Sequence, residues 1–169
     1  MQYLITGAAG FIGSFLCHKL AKDGNKIIAI DNFSNSSEVT FERIEAITGQ
    51  KIKNYCIDLC NKDDFFSILE KEKNCIGVIH FAALKSVPDS VHNPIEYYRN
   101  NIDSLINVLE ASIDYGVKTF VFSSSCSVYG NPDTLPVTED TPIKEAESPY
   151  ARTKQICEQI CFDVAKRHP

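Results

Sequence analysis

Short apolar runs alternate with longer amphipathic stretches along these 169 residues. The runs 2–6 (QYLIT), 26–30 (KIIAI), 52–57 (IKNYCI), 76–80 (IGVIH) and 118–123 (KTFVFS) predict β-strands. Helices are predicted between and after them, at about 11–23, 38–49, 62–73, 94–115 and 150–167. In the stretch 94–115, Ile95, Tyr98, Ile102, Leu105, Ile106, Leu109 and Ile113 recur at spacings of three and four. Asn93 is placed to cap that helix, Pro94 to open it and Gly116 to end it. Strict alternation of strand and helix implies an α/β fold: a doubly wound parallel sheet, Rossmann-type, with helices on both faces. The expected strand order is 3-2-1-4-5. Residues 131–149 (NPDTLPVTEDTPIKEAESP) break the rhythm with four prolines and several acids, and predict a long irregular loop.

Composition narrows the function classes. Hydrophobic residues make up 44% and charged residues 23%, as in a globular protein. The net charge is −5 and no basic cluster occurs, which argues against nucleic-acid or membrane-surface binding. The apolar runs are strand-sized, far short of the ~20 residues of a transmembrane helix. The start, MQYLITG, reads as a strand and not as a secretory signal. Seven cysteines (17, 56, 60, 75, 126, 157 and 161) form no C-x-x-C. Cys157 and Cys161 lie one helical turn apart, with only His168 near them, so buried free thiols are expected and no metal site. Free thiols point to a reducing, cytoplasmic compartment.

The chemistry sits at strand ends. TGAAGFIG at 6–13 follows the first strand and opens the first helix. Gly7 permits the tight turn, Gly10 lets backbone approach a pyrophosphate, and Gly13 allows helix to pack on strand. A pyrophosphate is expected at Gly10, Phe11 and Ile12, on the helix N-terminus. Asp31 closes the second strand, where its carboxylate can hold both ribose hydroxyls and repel a 2′-phosphate. No arginine precedes Arg43, which favours NAD over NADP. HFAALKSV at 80–87 places small residues and Lys85 after the fourth strand, while His80 reads as a core histidine. SSSCSVYG at 123–130 places hydroxyls after the fifth strand, with Ser125 the candidate. No G-x-S-x-G occurs, which argues against a hydrolase nucleophile. Tyr150 and Lys154 are four apart and share one helical face. Tyrosine at a pKa of about 10 is a poor base at neutral pH, and an adjacent ammonium favours the phenolate.

These motifs, with DNFSNS at 31–36, IDLCN at 57–61 and NPIEYYRNNI at 93–102, resemble the extended short-chain dehydrogenase/reductases. Within that family they are most similar to the UDP-galactose (UDP-glucose) 4-epimerases, along essentially the whole chain. The resemblance implies NAD as a bound cofactor, a UDP-sugar as substrate and a redox-neutral interconversion of UDP-galactose and UDP-glucose through a transient 4-keto sugar. Tyr150 takes the proton of the sugar 4-hydroxyl, Lys154 supports the phenolate and holds the nicotinamide ribose, and Ser125 bridges Tyr150 and substrate. Asp31, Asn32, Asn35 and Ser36 hold the adenosine ribose side. Asp58 and Leu59 bracket adenine, and Phe81, Ala82, Ala83, Lys85 and Asn100 line the remaining cofactor path. The related 4,6-dehydratases carry an Asp-Glu pair where Cys126 and Ser127 stand here, so dehydration is disfavoured.

Members of the family are about twice this length. The expectation is therefore an NAD-binding domain over 1–169 that includes the Tyr-Lys helix, truncated before the nucleotide-sugar lobe and possessing an incomplete UDP-sugar site. The resemblance also implies a homodimer through helices 94–115 and 150–167. A sheet edge exposed at Thr119–Phe122 is expected to add an edge-to-edge self-contact, with local disorder near 126–149 as the alternative second effect. The residues leave two other readings open: another nucleotide-sugar epimerase or reductase of this fold, or a non-catalytic dinucleotide- or partner-binding module.

Overall fold

The structure, a computed structural model, describes residues 1–72 and 74–168. Five parallel strands form one sheet in the order β3-β2-β1-β4-β5. They are β1 (Gln2–Thr6), β2 (Lys26–Asp31), β3 (Lys53–Cys56), β4 (Gly77–His80) and β5 (Thr119–Phe122). The helices are α1 (Phe11–Lys22), α2 (Val39–Thr48), α3 (Lys62–Lys71), α4 (Val87–His92), α5 (Pro94–Tyr98), α6 (Ser104–Asp114) and α7 (Pro149–Arg167). The expected end of α3 at 73 lies outside the described residues, as does position 169.

The described chain divides into two compact units. The first, Met1–Ala82 with Asn107–Ser123, holds the sheet. The inner strands β1, β2 and β4 bury side chains on both faces, while the edge strands β3 and β5 are partly exposed. Leu4, Ile28, Ile30 and Val78 join Phe65, Ile68 and Leu69 of α3 and Val108 and Ala111 of α6 in one cluster. Ile5, Ile27 and Ala29 join Cys17 and Ala21 of α1 and Phe41 and Ile44 of α2 in the other. The register pairs Leu4 with both Ile28 and Val78, so each cluster is continuous across strands. His80 is 1% exposed, bonded to Thr6 Oγ1 at 2.8 Å and stacked near Phe120 and Phe122, so it is a core histidine.

The second unit, Ala83–Ile106 with the residues from Ser124 onward, is built around α7. Helix α7 packs against α4, α5 and a π-helical turn at Arg99–Asp103. Ser148 caps α7 by accepting the Ala151 N–H at 3.1 Å, Pro149 opens it, and Lys166 and Arg167 sit in its last turn.

Three expectations need correction. The stretch 94–115 is not one regular helix: α5 and α6 flank the π turn. Helix α4 was not anticipated, since six residues are too few to show a helical period. The thiols are not uniformly buried: Cys56, Cys60 and Cys126 are exposed and Cys161 is half-buried. Among the described residues no helix is long and apolar enough to cross a membrane.

Candidate functional site

In the first unit the glycine turn leaves no room for a side chain at Gly7 or Gly13. Gly7 has φ +62°, and a Cβ there would sit 2.8 Å from Ala82 N. A Cβ on Gly13 would sit 2.2 Å from the Gly7 carbonyl oxygen and 2.9 Å from Ala8 Cα. Gly7 thus brings β1 close to the end of β4, and Gly13 brings α1 onto the turn. Gly10 caps α1 with an ordinary φ of −69° and no side-chain bond to the helix. No acidic residue stands in the first turn of α1, and Phe11 and Ile12 are exposed. A helix start of this kind offers backbone N–H donors and a positive dipole end to an anion. The bare cradle fits the pyrophosphate of a dinucleotide.

Asp31 ends β2 beside this turn. Its Oδ2 accepts the Ala9 N–H at 2.9 Å. Its Oδ1 accepts the Phe33 N–H at 2.9 Å and the Ser36 hydroxyl at 2.8 Å. Asn32 is exposed and accepts the Ser34 N–H at 3.1 Å, and Asn35 is exposed. Asp58 is exposed and folds its own loop by accepting the Cys60 N–H at 2.9 Å. Leu59, by contrast, lies 5% exposed in the core cluster, with its carbonyl held by Asn107 at 2.8 Å. The Leu59 side chain is a core group, so only its backbone faces the loop. Phe81 and Ala82 are half-buried, their N–H groups donated to the Thr6 carbonyl and to Thr6 Oγ1, each at 3.2 Å.

In the second unit Ser125 begins the 3-10 turn Cys126–Tyr129. Its Oγ accepts the Ser127 N–H at 3.3 Å and the Ser127 hydroxyl at 2.9 Å. Ser124 Oγ is buried without a hydrogen-bond partner. Tyr150 is half-buried in the first turn of α7, and Lys154 lies one turn on at 4% exposure. Burial depresses the Lys154 ammonium below the usual lysine range, against an opposing pull from Cys157, Cys161 and Glu158. Ala83 is half-buried and Lys85 exposed.

Asn100 donates to Asn101 Oδ1 at 2.9 Å, and Asn101 is a junction that the sequence reading missed. Asn101 is 3% exposed. It accepts the Leu84 N–H at 2.8 Å, donates to the Leu84 carbonyl at 3.0 Å and donates to Thr153 Oγ1 at 3.1 Å. Thr153 in turn donates to the Tyr150 carbonyl at 2.7 Å. The 84–85 loop and the turn of α7 carrying Tyr150 and Lys154 are therefore fixed through one amide. The available signal was a polar side chain on an otherwise apolar helical stripe, three residues after Tyr98 and four before Leu105. Gln155 also went unnoticed: it donates to the Val128 carbonyl at 2.8 Å and the Lys144 carbonyl at 2.7 Å, holding the 3-10 turn and the long loop to α7. At the base of that loop Gly130 has φ +62°, and a Cβ on it would sit 2.3 Å from the Glu145 carbonyl oxygen. Among the described residues no group of three or more His, Cys, Asp or Glu is placed to hold a metal.

Comparison with known proteins bears on this geometry. Residues 3–168 match the model of the NAD dependent epimerase/dehydratase family. The chain is 44% identical over 164 residues to the UDP-glucose 4-epimerase of Bacillus subtilis, covering 97% of this chain and 48% of that protein. The solved structure of UDP-glucose 4-epimerase from Bifidobacterium longum, in complex with NAD+ and UDP, superposes with a TM-score of 0.96 at 42% identity, over 100% of this chain and 50% of that one. The UDP-Glc/GlcNAc 4-epimerase of Campylobacter jejuni superposes with a TM-score of 0.93 at 33% identity, over 99% of this chain and 50% of that one. The chain spans about half the length of the curated relatives it matches.

Proposed function

Since the chain belongs to the NAD dependent epimerase/dehydratase family, we propose that it supplies the cofactor-binding and proton-transfer residues of a UDP-glucose 4-epimerase. The reaction is the interconversion of UDP-galactose and UDP-glucose. The observation that carries this reading is the pair on α7: Tyr150, with Lys154 buried one turn on and both anchored through Thr153 and Asn101. NAD, when bound, supplies the hydride acceptor for sugar C4 and the donor that returns it.

The chain's own residues divide the remaining work. The N–H groups of Phe11 and Ile12 receive the pyrophosphate beside Gly10, whose own N–H is donated to the Gly7 carbonyl at 3.2 Å, and Asp31, Asn32, Asn35 and Ser36 receive the adenosine ribose. Asp58 and the Leu59 backbone meet adenine. Phe81, Ala82, Ala83, Lys85 and Asn100 are assigned to the rest of the cofactor. Tyr150 as phenolate takes the proton of the sugar 4-hydroxyl and gives it back. The Lys154 ammonium favours that phenolate electrostatically. Ser125 accepts two hydrogen bonds from Ser127, so its own O–H is free to donate. Cys126 and Ser127 put no carboxylate pair beside Ser125, which supports epimerisation over dehydration.

The reading includes a homodimer. Val91, Ile95, Ile106 and Phe162 expose large apolar side chains on α4, α5, α6 and α7, a composition suited to helix packing. The free thiols suit a reducing cytoplasm. The test is conversion of UDP-galactose to UDP-glucose by the longest form of the protein carrying these residues, with Tyr150→Phe beside it. Loss of nearly all turnover with NAD affinity kept is expected of the variant. Near-normal kcat in Tyr150→Phe would refute Tyr150 as the base, and failure of the unaltered protein to bind NAD would refute the whole reading.

A further inference from the structure

Phe33 has φ 55°, and among the described residues it alone is a non-glycine with left-handed backbone. That conformation is disfavoured for residues with a Cβ, the more so for bulky ones. Here it turns the chain that follows Phe33 so that the Ser36 hydroxyl returns to Asp31, 2.8 Å from Oδ1. The Phe33 N–H meets the same oxygen at 2.9 Å, and the Ala9 N–H meets Oδ2 at 2.9 Å. A carboxylate offers about four lone-pair directions. Three are filled by the chain itself, and Oδ2 keeps one. The Phe33 ring is half-buried against the cluster between α1 and α2, edge-on to Phe41 at 6.2 Å between centroids.

We propose that Phe33 is a positioning residue for cofactor choice. Its ring, wedged against Phe41, holds the backbone left-handed, and this keeps the Ser36 hydroxyl on Asp31 and the carboxylate fixed. A fixed carboxylate presents one free direction to a ribose hydroxyl and cannot swing aside to admit a 2′-phosphate. The inference rests on the proposal that Asp31 meets the adenosine ribose. It departs from the simpler expectation in which both oxygens of Asp31 are open to the sugar.

The test compares the unaltered chain with Phe33→Ala, Phe33→Val and Phe33→Gly, measuring Kd for NAD and for NADP by calorimetry and Tm by thermal unfolding. Alanine and valine lose the ring and disfavour positive φ, valine more strongly. Their preference for NAD over NADP is expected to narrow at least about tenfold, the scale of one hydrogen bond to a charged group. Glycine loses the same ring but adopts positive φ without strain. Phe33→Gly is therefore expected to melt lower yet keep most of the preference. Should Phe33→Ala fail to fold, the contrast between valine and glycine decides the matter. Preference retained in alanine and valine, or narrowed equally in glycine, overturns the proposal while leaving the NAD assignment standing. An unaltered chain that binds NAD and NADP equally overturns the Asp31 assignment and this inference together.

Discussion

Adding one methyl group at each of three glycines separates the parts the fold needs from the part the cofactor needs. At Gly13 the new Cβ would lie 2.2 Å from the Gly7 carbonyl oxygen and 2.9 Å from Ala8 Cα. Both neighbours are backbone, so no rotamer change relieves the clash, and helix α1 must move off the turn by most of an ångström. Overpacking that cannot be relieved by side chains costs about 3 kcal/mol or more. For a chain of this size 1 kcal/mol moves Tm by roughly 2–4 °C, so Gly13→Ala is expected to lower Tm by roughly 6–12 °C. Gly24 is the control: its φ is +79° but nothing lies within 4 Å of a Cβ. The left-handed penalty of about 1–2 kcal/mol, partly offset through the unfolded chain, leaves a fall of roughly 2–4 °C. Gly10 is the third case, with φ −69° and a Cβ that would approach only the Gly7 carbonyl, at 3.2 Å. Gly10→Ala is expected to melt within a few degrees of the parent chain but to bind NAD at least about tenfold more weakly, because the methyl occupies the path of the pyrophosphate. Thermal unfolding and NAD calorimetry on the four proteins give both readouts. A Gly13→Ala protein that melts no lower than Gly24→Ala would refute the packing argument. Unchanged NAD affinity in Gly10→Ala would refute the phosphate cradle.

Three further expectations follow from buried groups. Burial lowers the folded pKa of Lys154, so between that value and the unfolded lysine value of about 10.5 the unfolded chain binds more protons and stability rises with pH. Lys154→Met should flatten that rise in urea unfolding between neutral and alkaline pH, and an unchanged slope would count against the assignment. Glu72 is 7% exposed, where burial alone would raise its carboxyl; bonds from Lys53 and Tyr55 outweigh this and hold it below the usual range. Its contribution is present above the unfolded carboxylate pKa and lost as pH falls through the folded one, so Glu72→Gln should cost about 1–2 kcal/mol at pH 7 and little in acid; equal loss at both pH values would contradict this. Ser124 Oγ is buried without a partner, so Ser124→Ala should leave stability unchanged or raise it by up to about 1–2 kcal/mol, and a large loss on chemical denaturation would refute that reading.

What the sequence disclosed was local chemistry. The five strands and the turn at Gly7–Gly13 are short-range patterns, so apolar runs and glycine spacing sufficed to place them. The π turn between α5 and α6 carries Asn101, whose amide reaches Leu84, 17 residues away, and Thr153, 52 residues away, and no window of helical periodicity contains those partners. Leu59 shows the same limit from the other side: in IDLCN it sits beside a candidate binding aspartate, yet its side chain belongs to the core with Phe65 and Val108. The internal engagement of Asp31 was equally hidden, because it arises from the backbone of Phe33 and from Ala9, 22 residues earlier.

The long loop between Gly130 and Glu145 has a bearing on how this protein can diverge. Its two ends meet at the Gly130–Glu145 backbone approach, and Gln155 grips Val128 on one side and Lys144 on the other. The residues between are mostly exposed. The Ser125 turn is therefore held by the base of the loop and not by its contents. Doubling the length of a flexible loop costs only about 0.6 kcal/mol in closure entropy. Insertions or replacements placed between Asp133 and Ile143 leave Gln155 and both of its carbonyl partners in place. This segment is thus a position where new sequence can be accepted, and new surface acquired, without disturbing the residues proposed to carry the proton.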